Sequence, residues 1–265
     1  MISQRCPVAD GELQVESTGE GPPLLMIAGG LGAADSYRAL AKRLGSDYTV
    51  LTYDRRGHFR STDETTGPVP VSLQADDARA VIEHAGLGKA TVFGSSAGAL
   101  IGLDLAARHP DVLTGLVAHE PPLVQLLPDA EEWEAFAESQ VAACERGDLV
   151  EAFTQFAGSL AGAGLPELRM VRLPNEREWI RLFTRELRAF YHYEPDLVAL
   201  RRSRVEITPT AGRDSRGYYH YRPAKTLALE LGQPFAEVPG AHLAPQRNPA
   251  AFETALRELL ADLPS

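Results

Sequence analysis

Two cysteines in 265 residues, Cys6 and Cys144, stand far apart, with no Cys-x-x-Cys pair and no clustering of cysteine with histidine. That spacing offers neither a disulfide framework nor a zinc pattern, so reduced thiols and no bound metal are expected. No apolar run approaches the roughly 20 residues that a membrane-spanning helix needs. The N-terminal MISQRCPVADGE is polar and lacks the basic-then-apolar layout of a signal segment, so a cytoplasmic location is expected. Positive charge is also scarce: 26 Lys and Arg stand against 36 Asp and Glu, a formal net charge of -10. That balance argues against nucleic acid or an anionic membrane as the partner. No internal repeat or low-complexity tract is visible. What remains is an ordinary globular composition, 44% apolar and 23% charged, able to bury the core of one domain or of a domain carrying an insertion.

Short β-rich runs at 13–17, 24–28, 49–53, 91–94, 113–119, 205–211 and 235–238 alternate with helical patterns at 36–44, 72–85, 98–108, 223–231 and 249–260. Buried runs alternating with helices predict an α/β fold: a mainly parallel, doubly wound sheet of about eight strands, covered on both faces. One region breaks the alternation. Between about 122 and 200 no strand-like run occurs, and three helical patterns follow one another at 129–146, 148–160 and 175–191. The expected organisation is a core formed by 1–121 and 201–265 with a helical insertion at 122–200. Its aromatics, among them Trp133, Phe153, Phe156, Trp179 and Phe183, recur within each helix about every three or four residues. The simplest reading packs them against the main body. Helices inserted between strands can also form a lid whose aromatics line an apolar pocket.

The stretch VFGSSAGAL, 92–100, fits Gly-x-Ser-x-Gly only with Ser96 at its centre, because Phe93 occupies the glycine position that Ser95 would require. The motif lies between a predicted strand and a predicted helix, where its mechanics require a sharp turn. The helix N-terminus favours a developing negative charge there, with the Ala97 N–H directed toward it. A serine nucleophile needs a base, and the base an orienting carboxylate. Both follow in order: Gly212-Arg213-Asp214-Ser215 after the run at 205–211, and Pro239-Gly240-Ala241-His242 after the run at 235–238.

These motifs make the chain resemble the α/β-hydrolase family nearly end to end. The resemblance implies Ser96 as nucleophile, Asp214 as acid and His242 as base, with Glu120, at the end of the strand before the insertion, as the alternative acid position used by some members. It implies that the loop Ala28-Gly29-Gly30-Leu31-Gly32 forms the oxyanion loop, with Gly30 and Ala97 N–H groups as donors, and that the insertion is a cap. Tyr53-Asp54-Arg55-Arg56-Gly57-His58-Phe59-Arg60-Ser61 resembles the family's Asp-x-Arg-Gly-x-Gly-x-Ser loop, with Phe59 in place of a glycine and Asp54 expected to hold the turn. Ala28 stands where the family usually has histidine. Gly30 leaves space beside the donor, a hint of a larger acyl group. The residues expected to border the substrate are Leu31, Ser95, Glu120, Trp133 and Phe183.

A serine at the elbow disfavours the epoxide-opening and halide-displacing branches, which use a carboxylate there. The expected activity is hydrolysis of an ester, lactone or thioester of a small or medium apolar acyl compound, without metal or organic cofactor. Two other readings stay open: cofactor-free oxygenation or perhydrolysis on the same fold, and ligand binding with little catalysis.

Overall fold

The structure is a computed structural model that describes residues 1–160 and 173–264. Eight strands form one sheet: β1 (Ile2–Val8), β2 (Gly11–Thr18), β3 (Pro23–Ile27), β4 (Thr49–Tyr53), β5 (Ala90–Ser95), β6 (Leu113–His119), β7 (Glu206–Gly212) and β8 (Ala236–Val238). Their order is β1-β2-β4-β3-β5-β6-β7-β8. β1 and β2 are antiparallel to their neighbours, and every pairing from β4 to β8 is parallel.

Alternation along the central strands divides the core into two layers. Leu25, Ile27, Val92 and Leu116 face one side, packed against α2 (Val71–Ala85) and α3 (Ala97–Arg108). Leu24, Met26, Phe93 and Val117 face the other, against α1 (Arg38–Leu44) and the C-terminal helix Pro249–Ala261. A side chain as fully buried as Leu24 or Leu25 contributes about 1.5–3 kcal/mol of transfer free energy. Strands covered on both faces read as continuous apolar runs, which is why they are legible in the sequence.

Between β6 and β7 the described chain is helical: α4 (Ala130–Glu145), α5 (Leu149–Ser159), α6 (Glu176–Arg181), a π turn at Leu182–Glu186, α7 (Leu187–Tyr191) and α8 (Leu197–Ser203). The stretch 161–172 of the expected insertion lies outside the described residues. The helix expected over 175–191 runs from 176 to 191 with a π turn inside it, and the Arg185 carbonyl accepts from the Val69 N–H at 2.8 Å. Among the described residues no helix is long and apolar enough to cross a membrane.

This topology fixes where a site can form. β3 and β5 are neighbours, yet the chain leaves β3 toward β4 on one side and leaves β5 toward β6 on the other. Ligands on open parallel sheets bind in the crevice at the carboxyl ends of such a strand pair. The glycine loop after β3 and the turn after β5 both open into that crevice.

Candidate active site

Ser96 sits between β5 and α3 at φ 56° and ψ -127°, a backbone region that L-residues rarely occupy. Its N–H donates to the His119 carbonyl at 2.8 Å, and its own carbonyl accepts from Ala99 at 2.9 Å, which holds the strained turn. The turn also needs space. A Cβ on Gly98 would stand 2.0 Å from the Ile27 carbonyl oxygen, and one on Gly29 would stand 2.6 Å from both the Ser95 carbonyl oxygen and the Ser96 Cβ. Gly98→Ala is therefore expected to cost about 3 kcal/mol, lowering Tm by roughly 6–12 °C in a chain of this size, as read by thermal unfolding.

Hydrogen bonds along the loop after β3 fix its shape. Gly32 N–H donates to the Gly29 carbonyl at 2.9 Å, and Arg55 Nη2 donates to the Gly30 carbonyl at 2.6 Å. The Gly29–Gly30 peptide is planar and trans, so turning the Gly29 carbonyl toward Gly32 turns the Gly30 N–H the opposite way. Gly30 adopts φ 48° and borders the cavity in front of Ser96. Ala97, as the first residue of α3, has an N–H with no acceptor inside its helix.

His242 follows β8 and is 4% exposed. Its Nδ1 stands 2.6 Å from Glu120 Oε2, while Glu120 Oε1 accepts the Gly212 N–H at 2.7 Å. Burial acts to raise the Glu120 carboxyl, but the His242 hydrogen bond and the surrounding imidazoles outweigh it and hold the group well below the usual carboxylate range. The His220 ring lies against the His242 face, centroids 4.3 Å apart, so His242 is held at its edge and at its face. Burial drives His220 well below the usual imidazole value and His119 down to about 4.

Asp214, expected as the acid from its place after β7, is not the partner of His242. It lies exposed in a 3-10 turn, Arg213–Ser215, where its N–H donates to the Gly240 carbonyl at 2.9 Å. β6 lies one strand farther than β7 from β8, which His242 follows, so an acid at the end of β6 needs the greater reach of a glutamate. The longer glutamate side chain then reaches His242 from a residue at φ 47°.

Ser96, His242 and Gly30 border a cavity of about 380 Å³, across from Phe153, Phe156 and Trp179 of the insertion. Leu31 and Ser95 line it, whereas Glu120, also expected to border the substrate, is fully buried against His242 and is not among its described walls. Trp133 and Phe183 are not among its described walls: Trp133 stacks on Tyr219 at 4.1 Å and donates to Asp129, and Phe183 is fully buried against Trp179. Helical spacing marks aromatics that are buried but not which of them face an opening, so Phe153, Phe156 and Trp179 could not be separated from the rest by periodicity. Phe59, in the left-handed region at φ 47°, borders the cavity. Asp54 holds its loop as expected, accepting from the Ala34 N–H at 2.8 Å and from Arg60 Nε at 2.6 Å.

A buried ionic cluster ties the insertion to the glycine loop. Glu186, in the π turn, accepts from Arg55 Nη1 at 2.9 Å and lies 2.9 Å from His58 Nε2, while Arg55 also holds the Gly30 carbonyl. Burial acts to raise the Glu186 carboxyl, but Arg55, His58 and Arg181 bring it down to about 2. A lowered folded value means stability that is full above the unfolded glutamate value, about 4.3, and is lost as pH falls from there toward 2. Glu186→Gln is expected to flatten the stability–pH slope in that window and, by leaving Arg55 buried without its carboxylate, to cost about 3–5 kcal/mol at pH 7. Urea unfolding at stepped pH measures both effects.

The model of the alpha/beta hydrolase fold family matches residues 22–183. An uncharacterized hydrolase, YraK, of Bacillus subtilis (strain 168) is 32% identical over 261 residues, spanning 96% of this chain and 94% of its own. Among solved structures, a thermophilic esterase from Thermogutta terrifontis aligns with a TM-score of 0.78 at 21% identity, covering 98% of both chains. An alpha/beta hydrolase from Sphaerobacter thermophilus aligns at 0.69 with 26% identity, covering 97% of this chain and 100% of that one. With its sheet order, its strained serine turn and a relative of this identity along nearly its whole length, the chain belongs to the α/β-hydrolase family and is a hydrolase of that fold.

Proposed function

We propose that the protein is a serine hydrolase that cleaves a carboxylic ester, lactone or thioester of a small or medium, largely apolar compound, with Ser96 as nucleophile, His242 as base and Glu120 as acid. The observation that carries this reading is the buried 2.6 Å contact between Glu120 and His242, with His242 and the strained Ser96 on the same cavity wall. The serine hydrolase's need for a base oriented through its far nitrogen is met by that contact.

Glu120 fixes the proton of neutral His242 on Nδ1 and leaves Nε2 free to accept. Ser96 Oγ attacks the acyl carbon and His242 takes its proton. The Gly30 and Ala97 N–H groups hold the oxyanion that forms on the carbonyl oxygen. The bond to the leaving group then breaks, His242 returns the proton to the departing oxygen or sulfur, and the acyl group stays on Ser96. Water, deprotonated by His242, attacks the acyl-enzyme; the acid leaves, and the proton returns to Ser96. Aromatic residues of the insertion, acting as a cap, exclude water around the substrate and supply apolar contact.

The reading agrees with the hydrolase and esterase names of the similar proteins, and it is tested by turnover. Purified protein is expected to hydrolyse p-nitrophenyl acetate and to lose that activity on treatment with a fluorophosphonate. Absence of turnover across ester, lactone and thioester substrates would contradict it.

A further inference from the structure

Two spaces meet at Ser96, and they differ in size and in what borders them. The larger, about 380 Å³, is bordered by His242 and Leu243, by the aromatics Phe153 and Trp179, and by the exposed amides of Asn175 and Gln246 at its rim. The smaller, about 20 Å³, begins at Gly30, Ser96 and Ala97 and is closed by Pro122, Leu187 and Phe190. Leu187 and Phe190 are 1% and 3% exposed. Tyr191 and Tyr219 also border this space, and their hydroxyls bond to each other at 2.9 Å.

The chemistry assigns the two halves of a substrate to these spaces. Once the carbonyl oxygen points at the oxyanion donors, the acyl carbon has two remaining arms, the acyl chain and the leaving group. The group that protonates the leaving atom must lie beside it, and that group is His242. His242 borders the larger space and is not among the described walls of the smaller one. The leaving group therefore belongs in the large cavity, and the acyl chain points into the small one.

Size then sets the substrate class. At about 20 Å³ against about 380 Å³, the smaller space takes the shorter arm of the substrate. We infer that the protein is selective for acetyl and similarly short acyl esters of bulky, partly aromatic alcohols or thiols, with the bulk on the leaving-group side. The inference rests on the ester-hydrolase reading above. It departs from the hint of a large acyl group drawn from Gly30, a residue that borders both spaces.

Two constitutional isomers separate size from orientation. Benzyl acetate carries its ring on the leaving group, and methyl phenylacetate carries the same ring on the acyl side. Wild-type protein is expected to favour benzyl acetate by at least about tenfold in kcat/KM. Leu187→Ala, which enlarges only the smaller space, is expected to narrow that ratio by about tenfold; the wild-type ratio stands as a test of its own if this variant folds poorly. Hydrolysis of both isomers through Ser96 with equal rates, or with methyl phenylacetate preferred, overturns the inference and leaves the ester-hydrolase reading intact. Failure to hydrolyse any ester, with no labelling of Ser96, overturns both.

Discussion

Glu120→Gln is expected to lower kcat by about 10⁴, while Asp214→Asn leaves it within about twofold. The two carboxylates differ in what they touch. Glu120 Oε1 accepts from the Gly212 N–H, so a glutamine there keeps its carbonyl oxygen toward Gly212 and turns its NH₂ toward His242. A donor facing Nδ1 moves the imidazole proton to Nε2, the nitrogen that must accept from Ser96, and the base is disabled without any loss of side-chain volume. Charge is lost as well: the ionised Glu120 stabilises the imidazolium formed during attack, and its carboxyl is held well below the usual range by that contact. Asp214 is exposed, and its backbone N–H donates to the Gly240 carbonyl, a bond that asparagine retains. Steady-state kinetics on p-nitrophenyl acetate, with circular dichroism to confirm folding, decide the matter. Loss of activity in Asp214→Asn with retention in Glu120→Gln would restore the assignment made from strand order.

Ser96→Ala carries the other large effect, a fall in kcat of about 10⁶, leaving only what the oxyanion donors and binding supply over water. Folding is not expected to suffer, because the hydrogen bonds that hold the turn run through the Ser96 backbone to His119 and Ala99. Alanine at φ 56° meets the same strain as serine. Glycine relieves it, so Ser96→Gly is expected to be equally inactive and about 1 kcal/mol more stable, a direct reading of stability given up for function. Kinetics and thermal unfolding of the two variants together separate the roles of hydroxyl and backbone. Turnover retained in Ser96→Ala would favour cofactor-free oxygenation, in which the serine is dispensable.

Much of this was legible in the residues because the signals were local or periodic. The runs at 24–28 and 91–94 are apolar on both faces of the sheet, and the Gly94–Gly98 frame selects Ser96 because the backbone around it leaves no room for side chains. β1 was missed for the opposite reason. It is an edge strand in which only Cys6 is buried, so it carries no apolar run, and its pairing with β2 is a matter of backbone hydrogen bonds. Glu120 was legible as a candidate but ranked second, since sequence order places Asp214 and Glu120 equally well at strand ends, and only the packed side chains show which carboxylate meets His242. The cluster of Arg55, His58 and Glu186 joins residues more than 120 positions apart, and nothing in the spacing of the chain points to it. The faces of Trp133 and Phe183 were set by how the inserted helices pack on one another and on Tyr219, which period alone does not encode.

The central claim is that Ser96 carries the acyl group. Acid-quenched reaction with p-nitrophenyl acetate, followed by proteolysis and mass spectrometry, tests it most directly. The account predicts an acetylated peptide with the modification on Ser96, absent in Ser96→Ala and accumulating in a variant with slowed deacylation. Acetyl on Ser95, or turnover with no acyl-enzyme on any residue, would contradict it.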